Sequence, residues 1–219
     1  MNASKGIFMT RADRFRVLLI RTGATEWDEQ DYLPGVADLP LCEAGRDSCK
    51  PNDEFIGEIP ITSVISAGDE ASVETATLVA KAVGCKAKKC TGLGDVDLGL
   101  WQGLRMEELK QRAPKVYKQW VDDPLSLNPP EGESIRAACD RLIDQIIKAA
   151  DKAAKHTKHD IPAIAVILRP IAHAIVRSRL LKDPAVAGWN TMNDAPRYEW
   201  HEIPFARAEA LRAIPAGTT

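Results

Sequence analysis

No apolar run in this sequence approaches the roughly 20 residues a membrane-spanning helix needs. Nor does either charge predominate: 29 Lys and Arg stand against 31 Asp and Glu. That balance gives no global reason to expect nucleic acid or a membrane surface as partner. Aromatic residues make up 5% of the chain, and histidine occurs four times. The tryptophans at 101, 120, 189 and 200 read as packing residues rather than stacking platforms. The five cysteines are odd in number and show no Cys-x-x-Cys or Cys/His metal spacing, so no metal site is expected. Reduced thiols in a cytoplasmic protein are the expectation. The opening stretch MNASKGIFMTRADRFR lacks the apolar core and small-residue cleavage site of a secretory signal, and residues 1–14 read as a loose tail.

What is present fits an ordinary globular chain of 219 residues, 45% hydrophobic and 27% charged. The pattern predicts a single domain over residues 15–205, with a C-terminal tail from 206 to 219. FRVLLI (15–20) and ITSVIS (61–66) read as short buried strands. AIAVIL (163–168) is a continuous apolar run suited to a central parallel strand buried on both faces. Helical spacing predicts helices over 69–83 and onward from Ser134, with Ser134 as cap. The segment 42–59 reads as a helix broken near Pro51, and 105–123 as two short helices divided at Pro114. Pro170 suits the first turn of a helix that follows the 163–168 strand. RYEWHEI (197–203) alternates as a last strand should. KAKKC (86–90) reads as a solvated basic loop, with a docking patch as the alternative. Strands alternating with helices predict an α/β fold, a three-layer sandwich with a mostly parallel central sheet. Ligands of such sheets bind beyond the carboxyl ends of the strands, where Arg21 and Arg169 both fall.

Four signatures then appear in order: Arg21-Thr22-Gly23 with Thr25-Glu26-Trp27, DLPLCEAGR (38–46), Asp95 followed by GLWQG (99–103), and PPEGES (129–134). With them the chain resembles the histidine phosphatase superfamily, in its phosphoglycerate-mutase-like branch. The resemblance implies the phosphoglycerate-mutase-like fold. It also implies a site in which a histidine of an Arg-His-Gly turn attacks a phosphoryl group. Two arginines and a second histidine hold the oxygens there, and a carboxyl group protonates the leaving oxygen.

Carried over residue by residue, that machinery is largely replaced. Thr22 stands at the nucleophile, Ala71 and Val73 at the second arginine, and Arg169 at the second histidine. Arg21 is retained, and Asp95 stands for the carboxyl group. A threonine hydroxyl needs a neighbouring base to attack, and loss of a covalent nucleophile costs on the order of 10⁶ in turnover. A shifted alignment would bring His173 into the site. A helix histidine outside the site is the plainer reading, and His156, His159 and His201 have no motif around them.

The resemblance with these replacements predicts a non-catalytic protein that needs no cofactor. It would bind a phosphorylated or anionic small molecule, or a phosphoprotein, through Arg21, Gly23, Thr25 and Arg169, in a sensor or regulatory role; a homodimer is an open expectation. The alternatives are an active phosphatase or mutase with a rearranged mechanism, and a structural protein whose pocket is closed by an Arg169–Asp95 pair. Arg21 could likewise pair with Asp95. Negative charge at Glu26 and Asp28 would oppose an anion unless turned away.

Overall fold

A computed structural model describes residues 12–51, 59–182 and 195–212. Eight residues, RFRVLLIR, form β1 (Arg14–Arg21). There follow α1 (Glu26–Glu29), α2 (Glu43–Ser48), β2 (Ser63–Ser66), α3 (Glu70–Ala82), β3 (Ala87–Lys89), α4 (Met106–Arg112) and α5 (Pro114–Asp122). The remainder comprises α6 (Ile135–His156), β4 (Ala163–Leu168), α7 (Pro170–Leu181), β5 (Tyr198–Pro204) and α8 (Phe205–Arg212). The strands make one sheet in the order β3-β2-β4-β1-β5, parallel except for the antiparallel edge strand β5. With helices on both faces this is the three-layer α/β architecture predicted.

Local chemistry explains the helix starts. Asp69 accepts the Ser72 amide at 3.0 Å ahead of α3, and Ser134 accepts the Ala137 amide at 3.1 Å ahead of α6. Proline occupies the first position of both α5 and α7, where its missing N–H costs nothing. The sheet divides the core by residue parity, because neighbouring strand side chains point to opposite faces. Val17, Leu19, Ile65, Val166 and Leu168 pack with α6 and α7, while Leu18, Ile20, Val64, Ala165 and Ile167 pack with α3. Every residue of β4 is buried. Each of its larger side chains contributes about 2 kcal/mol of transfer free energy, which holds the central strand in register.

Two expectations are corrected. Ala87–Lys89, read as loop within the basic cluster, is an exposed edge strand parallel to β2; a three-residue strand with two lysines carries too little pattern to announce itself, and lysine is a common edge residue. Residues 206–212, read as tail, belong to α8, which buries Ala208 and Leu211. The first piece of the helix expected to break near Pro51 is α2, which ends at Ser48 with Cys49 as its cap; residues 52–58 of that reading lie outside the described residues, as do most of the predicted N-terminal tail and Trp189. No helix among the described residues is long and apolar enough to cross a membrane.

Candidate functional site

The topology inserts β4 between β1 and β2, so the ends of β1 and β4 lie side by side with Arg21 paired to Leu168. The Thr22 amide donates to the Leu168 carbonyl at 2.9 Å, fastening the Arg-Thr-Gly turn to the turn that begins with Arg169. Gly23 is required there by close approach: a Cβ would lie 2.3 Å from the Gly45 carbonyl oxygen in α2. Its amide points at Thr75 Oγ1, 3.4 Å away.

Beyond these turns lies a cleft of about 300 Å³, lined by Arg21, Thr22, Gly23 and Ala24, by Asp28, Glu29, Asp31, Tyr32 and Pro34, and by Pro170, Ile171 and Arg197. Arg197, which sequence reasoning missed, donates from Nη1 to the Thr22 carbonyl at 2.6 Å. Among the described residues it has no carboxylate within ion-pair distance, so its charge is available to the cleft. Only the folded sheet brings it there: it enters β5, which pairs with β1. The Thr22 hydroxyl is buried and has no hydrogen-bond partner among the described residues. No base is therefore bonded to the group at the nucleophile's position.

Arg169 faces a different, smaller cleft of about 180 Å³, shared with Asp95 and the turns 35–37 and 67–69. It pairs with Asp28 Oδ2 at 3.2 Å, its side chain being 3% exposed and that of Asp28 15%. This corrects two expectations: Arg169 does not line the Arg21 cleft, and its partner is Asp28 rather than Asp95. The pair neutralises the carboxylate that would have opposed an anion, and it joins the linings of the two clefts. Asp28 Oδ2 also accepts both the amide and the hydroxyl of Thr25 at 2.7 Å. Thr25, expected to bind ligand, is instead buried as the cap of α1 and does not line the cleft.

Asp95 serves α7. Its Oδ1 accepts the Ala172 amide at 2.8 Å and the Val96 amide at 3.0 Å, supplying from a distant loop the cap that Arg169 lacks. Its Oδ2 has no hydrogen-bond partner among the described residues, so neither arginine is bonded to it. Burial pushes this carboxyl up to about 7, against the pull of Arg169 and the two amides.

His173 is fully buried on α7, with both ring nitrogens unpartnered among the described residues, and is absent from the cleft lining. Burial, then the charge of Arg21, push it down to about 3, so it is neutral. Ala71, expected at the position of the second arginine, is buried against Leu41 and Cys49. No group of acidic, cysteine or histidine residues able to hold a metal occurs among the described residues.

The architecture and the place of the cleft define an α/β protein with a cleft at the ends of parallel strands. The profile of the histidine phosphatase superfamily (branch 1) matches residues 17–202, and the chain belongs to that superfamily. It is 30% identical over 148 residues to bifunctional protein Rv2228c of Mycobacterium tuberculosis (strain ATCC 25618 / H37Rv), matching 64% of this chain and 40% of that protein. It is 26% identical over 127 residues to a probable phosphoglycerate mutase, GpmB, of Citrobacter koseri, matching 58% of this chain and 59% of that one. The chain thus spans less than two thirds of the length of these relatives. The solved structure of mycobacterial glucosyl-3-phosphoglycerate phosphatase Rv2419c superposes with a TM-score of 0.70 at 22% identity, covering 86% of this chain and 89% of that one.

Proposed function

We propose that this chain is a non-catalytic histidine phosphatase relative that binds a phosphorylated or otherwise anionic ligand in the Arg21 cleft, in a sensor or regulatory role. The observation that carries the reading is the absence of any imidazole from the cleft lining while two guanidinium-bearing residues, Arg21 and Arg197, remain in it. A planar fork of permanently charged donors suits phosphate or carboxylate. Attack on phosphorus needs more: a nucleophile, a base and a proton for the leaving oxygen. Among the described residues the Thr22 hydroxyl has no base bonded to it and the His173 ring nitrogens have no hydrogen-bond partner, and the Asp95 carboxyl is engaged at α7.

Thermal unfolding of the purified protein in rising inorganic phosphate tests the reading. Preferential binding to the folded state raises the midpoint, by the equivalent of about 2.7 kcal/mol at a hundred times Kd. Arg21→Ala and Arg197→Ala abolish that rise. An unchanged midpoint in the wild type sinks the proposal.

A further inference from the structure

The smaller cleft, of about 180 Å³, is lined by Asp95 and Arg169 and shares no lining residue with the Arg21 cleft. Both of these side chains are buried, and each keeps a polar atom that the fold does not use. Asp95 Oδ1 accepts the Ala172 and Val96 amides, while Oδ2 has no hydrogen-bond partner among the described residues. Arg169 Nη2 is paired with Asp28, while Nη1 has no hydrogen-bond partner among the described residues. Arg169 and Asp95 form no ion pair with each other, so the two groups border one cleft without closing on each other. Buried polar groups in folded proteins are nearly always satisfied, so a donor and an acceptor left over at one cleft call for a partner.

We propose that this cleft binds a small primary carboxamide, whose carbonyl accepts from Arg169 Nη1 while its NH₂ group donates to Asp95 Oδ2. The site is separate from the Arg21 cleft, and the inference does not rest on anion binding there. Charge selects the class of ligand. Among the described residues Arg169 is the one cation in the lining, and Asp28 already pairs with it, whereas Asp95 and Asp69 are both acids. An anion would meet a guanidinium whose charge is already offset, together with two acids, which disfavours phosphate and carboxylate alike. An ammonium group would meet the buried guanidinium. A neutral amide carries an acceptor and two donors in one plane, and it matches the pair without adding charge. Size and polarity select the rest. Val36, Ala37 and Ala67 supply aliphatic lining, and about 180 Å³ lies below the range of drug-sized ligand pockets, so the ligand has few heavy atoms.

The test is titration of the full chain with propionamide and with propionate, which has the same shape but carries a charge. The readout is the backbone amide NMR spectrum, in which Val96 and Ala172 report on Asp95 because both donate to it. Propionamide is expected to shift both signals saturably, and propionate to leave them in place. Burial holds the Asp95 carboxyl up at about 7; Arg169 and the two amides pull it down, Asp28 pushes it up, and Asp69 also lines the cleft. The ligand's N–H finds its acceptor when Asp95 is ionised, so propionamide binds about tenfold tighter at pH 8 than at pH 6. Asp95→Asn keeps an acceptor for the Val96 and Ala172 amides but turns an NH₂ group to the cleft. It is expected to stay folded and to lose propionamide binding at both pH values, and Arg169→Met to lose it as well. The proposal is overturned by silence towards propionamide, by equal shifts from propionate, by an affinity that does not rise with pH, or by binding that survives Asp95→Asn.

Discussion

The ends of β1 and β4 are neighbours in one sheet, yet they have been put to different uses. At the end of β1, Arg21 opens onto a cleft together with Arg197, whose charge is unpaired among the described residues. At the end of β4, Arg169 is buried and locked to Asp28, and Asp95 beside it caps a helix. Two arginines at adjacent strand ends thus meet different surroundings: the Arg169 guanidinium spends Nη2 on Asp28 and keeps Nη1 without a hydrogen-bond partner among the described residues. Arg169 faces the smaller cleft beside Asp95, while Arg21 lines the larger one.

That contrast can be broken in several ways, of which the turn itself gives the largest effect. Gly23→Ala drives a methyl group to 2.3 Å from the Gly45 carbonyl, and neither backbone can retreat without opening the contact between the turn and α2. A loss of about 3 kcal/mol or more is expected in chemical denaturation, with the cleft lost as well. Next comes the buried pair. Asp28→Ala strands the Arg169 charge and removes the carboxylate that accepts from Thr25 at the start of α1, for a cost of about 3 kcal/mol. Adding Arg169→Met recovers much of that stability, because no buried charge is left unpaired. Phosphate binding survives in Arg169→Met and is lost in Arg197→Ala. The opposite result would exchange the roles of the two strand ends.

Acidity gives a third handle. The folded state holds Asp95 protonated up to about 7, above its ordinary carboxylate value, so folding takes up a proton in that interval. Its contribution is fully present below the ordinary value and is lost as pH rises through about 7. His173 runs the other way: its contribution is present above the ordinary histidine value and is lost as pH falls toward about 3. The two offset each other in mildly acid solution, so the wild-type profile understates both. Asp95→Asn keeps a neutral acceptor for the Val96 and Ala172 amides. Relative to wild type it gains stability between about pH 4 and pH 7 and levels off above that, as denaturation midpoints across that range will show. A flat difference would mean that Asp95 is ionised in the folded protein. The smallest effect belongs to Arg197→Ala, whose lost hydrogen bond to the Thr22 carbonyl costs about 1 kcal/mol.

Much of the fold was legible in the sequence because its strongest signals are local. Six consecutive apolar residues in β4, the cap Ser134, and the proline at the start of α7 each act within one element. The order of signatures supplied the superfamily. The site was legible only in part. Thr22 and the buried Asp95 could be placed from their motifs, but Arg197 carries no motif and reaches the cleft solely because β5 pairs with β1. The Arg169–Asp28 pair spans 141 positions, and no spacing rule encodes it. Short elements escaped for the opposite reason: β3 has three residues, too few for periodicity to separate a strand from a loop.

The central claim is that anion binding has outlived phosphoryl transfer in this cleft. Its most direct test is phosphate release from a panel of phosphomonoesters by wild-type protein at stoichiometric concentration, beside Arg21→Ala. The account predicts no release above the buffer rate and no phosphorylated protein. Release by the wild type that Arg21→Ala abolishes would contradict it, and would require a nucleophile in the cleft other than histidine.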